Sequence, residues 1–144
     1  MSTQPVNPSD PRTLAKRCFT EVITGGDLAV ADEILAKDIL VTTANGSIIR
    51  GRSEFKHFAE AYRNAFPDIT FEIQEEVVEG TRVCTRYVMR GTFLGTLMGL
   101  LPTGNAFAVR GMDVFEIVGG KIVRIAAYAD TLLQMQQLGV VPKL

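Results

Sequence analysis

The chain has 144 residues, a formal net charge of -1 from 15 Lys+Arg against 16 Asp+Glu, and 47% hydrophobic residues; this is the size and composition of one ordinary domain, not of a disordered chain. The balanced charge gives no basic field for nucleic acid, and one His with two Cys cannot build a four-ligand structural zinc site. A Ser-His-Asp or Cys-His site would have to use His57, so carboxylates, tyrosines and a large apolar interior are what remain for chemistry.

Residues 1–10 are polar and Pro-containing and read as a disordered arm, not a signal peptide, ahead of a single domain over 11–144. Asp10-Pro11 opens a helix whose apolar face is Leu14, Cys18, Phe19, Val22 and Ile23, ended by Gly25-Gly26. Asp27 caps a second, short helix with Leu28, Ala31, Ile34 and Leu35 on one side. Ile39 to Thr43 is β-branched and extended, and Ala44-Asn45-Gly46-Ser47 turns the chain. Gly51 to Phe66 is predicted as a third helix carrying Phe55, Phe58, Tyr62 and Phe66 on one face, stopped by Pro67-Asp68. His57 is offset from that face and points outward.

Strands are predicted over 69–78, 82–93, 107–118 and 121–129, with turns at Glu79-Gly80 and Gly119-Gly120. Leu94 to Asn105 is a Gly/Leu/Met-rich crossing, either a lid or part of an interface. Asp130 caps a last helix with Leu132, Leu133, Met135 and Leu138, ended by Gly139. Helices first and an antiparallel meander after them make the class α+β. The longest apolar stretch, 92–101, is broken by Gly95 and Gly99 and falls short of the roughly 18 residues a membrane span needs. Cys18 and Cys84 carry no disulfide-framework pattern, which predicts a reducing cytoplasm. Met112 and Val114 make the second face of the 107–118 strand apolar as well, which predicts a sheet-to-sheet homodimer, with a tetramer as the alternative.

This order of elements resembles the NTF2-like cone, in which N-terminal helices pack on a curved mixed or antiparallel sheet. The details are closer to the SnoaL-like polyketide cyclase (ester cyclase) family. The resemblance covers roughly residues 12 to 142. It rests on Gly51, the helix end Ala65-Phe66-Pro67-Asp68, Arg86, Arg90-Gly91-Thr92, Pro102-Thr103-Gly104, Gly120-Lys121-Ile122 and the tail from Asp130 to Gly139. It implies a homo-oligomeric enzyme without metal or cofactor that closes a polyketide ring with an acid/base Asp in an apolar pocket. The position of that Asp falls on Ala127, and a second family position, a His, falls on Phe93.

Proton transfer therefore turns to other residues. Asp113 shares a strand face with Phe107, Val109, Phe115 and Ile117 by period-two alternation. Burial without a cation raises a carboxylate's pKa and suits it to acid/base work near neutrality. Its position also resembles that of the oxyanion-hole Asp of ketosteroid isomerases, which donates a hydrogen bond to a forming enolate. The bland alternative is a hydrogen bond to backbone or to Arg86 at the sheet rim. Asp130 is a second candidate and equally an N-cap; Tyr62 and Tyr87 can donate to an oxyanion or simply pack; Arg86 can pair Asp113, bind an anion or be solvated. A pocket of Phe19, Thr43, Phe55, Phe58, Phe66, Phe93, Met98, Phe115 and Ala127 is predicted. The function expected is a cofactor-free cyclase or isomerase acting on a bulky apolar polyketide- or terpenoid-like molecule bearing a carbonyl or epoxide. The alternatives are an epoxide-opening hydrolase or cyclase on the same fold, and a non-catalytic binder of a lipophilic molecule.

Overall fold

A computed structural model describes residues 10–142; the predicted N-terminal arm lies almost wholly outside them. Helix α1, Pro11–Arg17, starts where the Asp10 side chain accepts from the Arg12 amide at 3.2 Å. The chain then widens into a π-helical segment, Cys18–Thr24, instead of continuing the single α-helix predicted. Such widenings displace side chains around the axis and recur at functional sites; this one buries Cys18, Phe19 and Val22 together. Asp27 caps α2, Leu28–Ile34, with its side chain 3.3 Å from the Val30 amide. Leu35, predicted on that helix, is instead the first residue of strand β1, Leu35–Thr42, because it enters a parallel ladder opposite Ile122.

Strand β2, Ile48–Arg50, returns on β1 as a hairpin, and α3, Arg52–Ala65, follows. Strands β3 (Thr70–Glu79), β4 (Arg82–Thr92), β5 (Ala106–Val118) and β6 (Lys121–Ala129) then form consecutive antiparallel pairs. The six-stranded sheet runs β2-β1-β6-β5-β4-β3. It is mixed and open, since β1 joins β6 in parallel; the purely antiparallel meander holds only from β3 to β6. Helix α4, Thr131–Leu138, closes the described fold under the Asp130 cap and stops at Gly139, whose φ of 80° suits glycine.

Helices and sheet enclose one core. Phe19 meets Phe71, Tyr87 and Phe115 with ring centroids 4.9 to 5.4 Å apart. A second aromatic run follows α3 from Phe55 through Phe58 and Tyr62 to Phe66, and Phe66 packs against Phe93 and Phe107. Asp68, beyond the helix end, does more than stop the helix. Its carboxylate accepts from the Thr92 amide at 2.7 Å and the Thr92 hydroxyl at 2.6 Å, which ties α3 to the end of β4. Among the described residues no helix is long and apolar enough to cross a membrane.

Candidate active site

Between the helices and the inner face of the sheet lies an apolar cavity of about 280 Å³. The π-helical segment supplies Cys18, Phe19 and Ile23 to its wall, and α3 supplies Phe55, Phe58 and Tyr62. The sheet supplies Val41, Asp113, Phe115 and Ala127, while Thr43, Thr96, Leu97 and Met98 complete the lining from loops. The crossing 94–105 thus reaches the cavity through a tight turn at Met98 and Gly99, both at positive φ, between the bridged residues Leu97 and Leu100.

Asp113 is the one acidic residue buried among those described, only 8% exposed. The alternation of β5 puts it on the inner face with Val109, Phe115 and Ile117. Its hydrogen-bond partner is Tyr87, whose hydroxyl donates to Oδ1 at 2.8 Å. Burial pushes the carboxyl up to about 7, with the Tyr87 hydrogen bond acting weakly the other way. The same burial, reinforced by the charge of Asp113, pushes both the Tyr87 hydroxyl and the Cys18 thiol well above their ordinary values. The group therefore changes protonation state near neutral pH while both neighbours keep their protons.

Gly111 makes this pairing possible. It lies opposite Tyr87 in the β4–β5 ladder and two residues from Asp113 on the same face. A Cβ on Gly111 would sit 2.6 Å from the Tyr87 ring and hydroxyl, so only glycine lets the ring lie across β5. A glycine inside a strand is the usual signature of such a close approach, and the β4–β5 register is what identifies Tyr87 as the group that approaches.

Tyr62, on α3, is stacked on Phe58 at 5.6 Å and accepts at its hydroxyl from Gln134 Nε2 at 3.0 Å. Burial pushes its hydroxyl up, and the Gln134 bond works against that. Gln134 was not foreseen. The predicted apolar face of α4 named Leu132 and Leu133, but these are 53% and 38% exposed, and Gln134 is the buried residue at 4%. Of the predicted face, Met135 lines the cavity and Leu138 is fully buried, while Thr131 and Gln134 join Met135 at the cavity wall.

Four predicted site residues lie elsewhere. Arg86 is on the outer face of β4, donating to Gln74 Oε1 at 2.6 Å with Glu75 at 3.6 Å, so it neither pairs Asp113 nor meets the cavity. Adjacent residues on a strand point to opposite faces, and Thr85, not Arg86, is the one opposite Asp113. Asp130 is exposed, and its carboxylate is engaged as the α4 cap, accepting from the Leu133 amide at 3.2 Å. Phe66 and Phe93 are buried in the core behind Tyr62, off the cavity wall. Ala127 does line the cavity and stands directly across from Asp113 in the β5–β6 ladder. Among the described residues no group of three or more His, Cys, Asp or Glu gathers as metal ligands would.

A four-helix, six-strand open cone with one buried carboxyl in an apolar pocket defines an NTF2-like α+β protein. The model of the SnoaL-like polyketide cyclase family matches residues 13–138, and the chain belongs to that family. IdmH of Streptomyces antibioticus, described as a candidate polyketide cyclase, is 27% identical with a TM-score of 0.78, over 91% of this chain and 99% of its own. A structure from Jannaschia, described as a candidate SnoaL-like polyketide cyclase, reaches a TM-score of 0.85 at 19% identity over 99% of each chain. TsrD of Streptomyces laurentii reaches 0.81 at 21% identity, over 95% and 100% of the two chains. The last two show the fold alone. No curated protein sequence matches the chain.

Proposed function

We propose that the protein is a cyclase or isomerase in which Asp113 moves a proton on a bulky apolar, carbonyl-bearing molecule of polyketide or terpenoid type, without a resident metal or cofactor. The observation that carries this reading is a buried carboxyl, titrating near 7, that opens on an apolar cavity. Tyr87 occupies Oδ1 and leaves Oδ2 to exchange the proton. The ionised carboxylate takes a proton from the carbon next to a carbonyl, and the C–H electron pair moves onto the carbonyl oxygen as an enolate. The enolate carbon then bonds to a second carbonyl carbon and closes a ring, the alkoxide so formed taking the proton back from Asp113; alternatively, where the enolate is conjugated to a C=C, the far carbon recovers the proton and the double bond shifts. A pKa near the working pH serves both halves of that cycle. Family membership and the likeness to IdmH support the substrate class.

The test is exchange of the acidic protons of β-tetralone, an enolisable bicyclic ketone, in deuterated water by NMR. The wild-type protein should accelerate the exchange, and Asp113→Asn should abolish the acceleration while keeping its circular dichroism. Equal acceleration by that variant overturns the role of Asp113. A second reading, a non-catalytic holder of a lipophilic molecule, is favoured by Ala127, because the family resemblance puts the acid/base Asp there. It predicts binding of the ketone with no exchange above background.

We also propose that a second copy covers the outer face of the sheet. Val77, Cys84, Val114 and Ala126 align across four strands there, beside Met112 and Tyr128, the latter 65% exposed. Arg82, Glu116 and Arg124 border the row with both charge signs, which a two-fold partner can match. Sedimentation should give a dimer that Val114→Glu dissociates. The two unpaired cysteines suit a reducing cytoplasm.

A further inference from the structure

We infer that the cavity holds a second oxygen-binding station, the Tyr62 hydroxyl set by Gln134, and that the substrate carries a second carbonyl to occupy it. This rests on the proposed role of Asp113 for the first oxygen but is read from different residues. A phenol has one proton and two lone pairs. Gln134 Nε2 fills one lone pair at 3.0 Å. Among the described residues the proton of Tyr62 finds only the Met89 thioether, at 3.8 Å, and thioether sulfur is a weak acceptor. A desolvated donor facing so poor a partner is a vacancy for a better one.

The station is also built to stay in place. The Tyr62 ring stacks on Phe58 at 5.6 Å and meets Phe66 edge-on at 5.1 Å, which fixes where the hydroxyl sits. Gln134 is nearly fully buried on α4, so the C-terminal helix holds the phenol oxygen from the other side. Donation to the phenol oxygen polarises the O–H bond and makes it a stronger donor. The Tyr62 proton is the donor at this station that lacks a good partner, so the vacancy calls for an acceptor oxygen. A carbonyl oxygen, with two lone pairs and no proton to place, supplies that acceptor. Asp113 lies on the sheet and Tyr62 on α3, with the aromatic walls of Phe19 and Phe58 also bounding the space. A flat apolar molecule with two oxygen functions satisfies both stations at once. Gln134 is a positioning residue in this account, since it acts through Tyr62.

The test uses three classes of probe: naphthalene, acetylnaphthalene and isomeric diacetylnaphthalenes, with affinities measured by fluorescence. Wild-type protein should bind the best diacetyl isomer more tightly than naphthalene. Tyr62→Phe should lower that preference roughly three- to tenfold, the worth of one neutral hydrogen bond. Gln134→Met, which keeps the side-chain length and removes the donor, should lower it in the same direction. The double variant should lose no more than Tyr62→Phe alone. A merely structural role for Gln134 would instead weaken naphthalene as much as the diketone and leave the preference unmoved. An unchanged preference in Tyr62→Phe overturns the station. An increase in Gln134→Met also overturns it, because the amide was then consuming the phenol proton. A wild-type cavity that binds none of the probes overturns it as well. Failure of the Asp113 reading is seen separately: Asp113→Asn then leaves β-tetralone exchange intact while the Tyr62 preference stands or falls by itself.

Discussion

Asp113 should make the fold less stable as the pH rises from about 4 to about 7, the reverse of what a surface carboxylate does. In the unfolded chain an Asp titrates at about 3.9; in the folded protein burial moves Asp113 up to about 7. Between those values the native state holds a proton that the unfolded state has released, so raising the pH favours unfolding. At about 1.4 kcal/mol for each tenfold change in proton affinity, the whole effect is about 4 kcal/mol. It is absent below about pH 4 and complete somewhat above pH 7. The residue is nearly fully buried, so solvent screening removes little of it. Asp32, Glu33 and Asp68, which partners hold below the ordinary carboxylate range, lose stability only in acid, in the opposite direction. The assay is urea denaturation of wild type and Asp113→Asn from about pH 5 to about pH 8. The difference between the two curves isolates Asp113, because every other titrating group is common to both. The neutral amide should bring the variant level with, or above, the wild type at the alkaline end, with a gain of about 2–3 kcal/mol relative to the acid end, the part of the effect that falls between about pH 5 and about pH 8. A difference that does not change with pH would refute the reasoning, since the carboxyl would then be ionised in the folded protein throughout.

Tyr87→Phe should move Asp113 further up, because the one hydrogen bond that favours its charged form is lost; the midpoint of the stability difference, and of any exchange activity, should shift to higher pH. Gly111→Ala should do the same through sterics, since its Cβ falls 2.6 Å from the Tyr87 ring, and should lower stability by about 1–3 kcal/mol in thermal melts. Thr85→Val should be neutral or stabilising by about 1 kcal/mol, because Thr85 Oγ1 is buried with no hydrogen-bond partner among the described residues; a clear loss in denaturant would mean the hydroxyl is partnered. Moving the carboxyl across the ladder, in the double variant Asp113→Ala with Ala127→Asp, should retain part of the β-tetralone exchange, because the two side chains are cross-strand neighbours on one face. Exchange no better than in Asp113→Ala would mean that Tyr87, which only Asp113 reaches, is indispensable.

The parts of this site that were legible in the sequence are those that local periodicity determines. Alternation along β5 placed Asp113 among Val109, Phe115 and Ile117. Helical spacing placed Phe55, Phe58 and Tyr62 on one face, with His57 exposed outside it. What was not legible depends on register between elements. The face that Arg86 occupies follows from which residue of β4 stands opposite Asp113, and a slip of one residue turns every side chain over. The widening at Cys18–Thr24 has no composition signal that separates it from α-helix, yet it turns Phe19 onto the sheet. Helix α4 misled for a different reason. Its buried side meets the core at Leu138 and the cavity at Thr131, Gln134 and Met135, so a polar residue faces inward while Leu132 and Leu133 stay partly in water.

Polar groups in an apolar interior are costly unless they are paired, and the distribution of pairs here is uneven. Asp130, Asp68 and Arg86 are all satisfied at the surface, by a helix cap, by Thr92 and by Gln74. Inside, Asp113 has Tyr87 on one oxygen, and Tyr62 has a strong donor but only a thioether for its own proton. If the interior were built for stability alone, Ala and Leu at these positions would remove the cost. Asp113 and Tyr62 both line the same apolar cavity, and Gly111 leaves the space in which Tyr87 reaches across β5. A ligand with two oxygen functions completes both sets of bonds, which ties the stability the fold forgoes at Asp113 to the binding that would recover it.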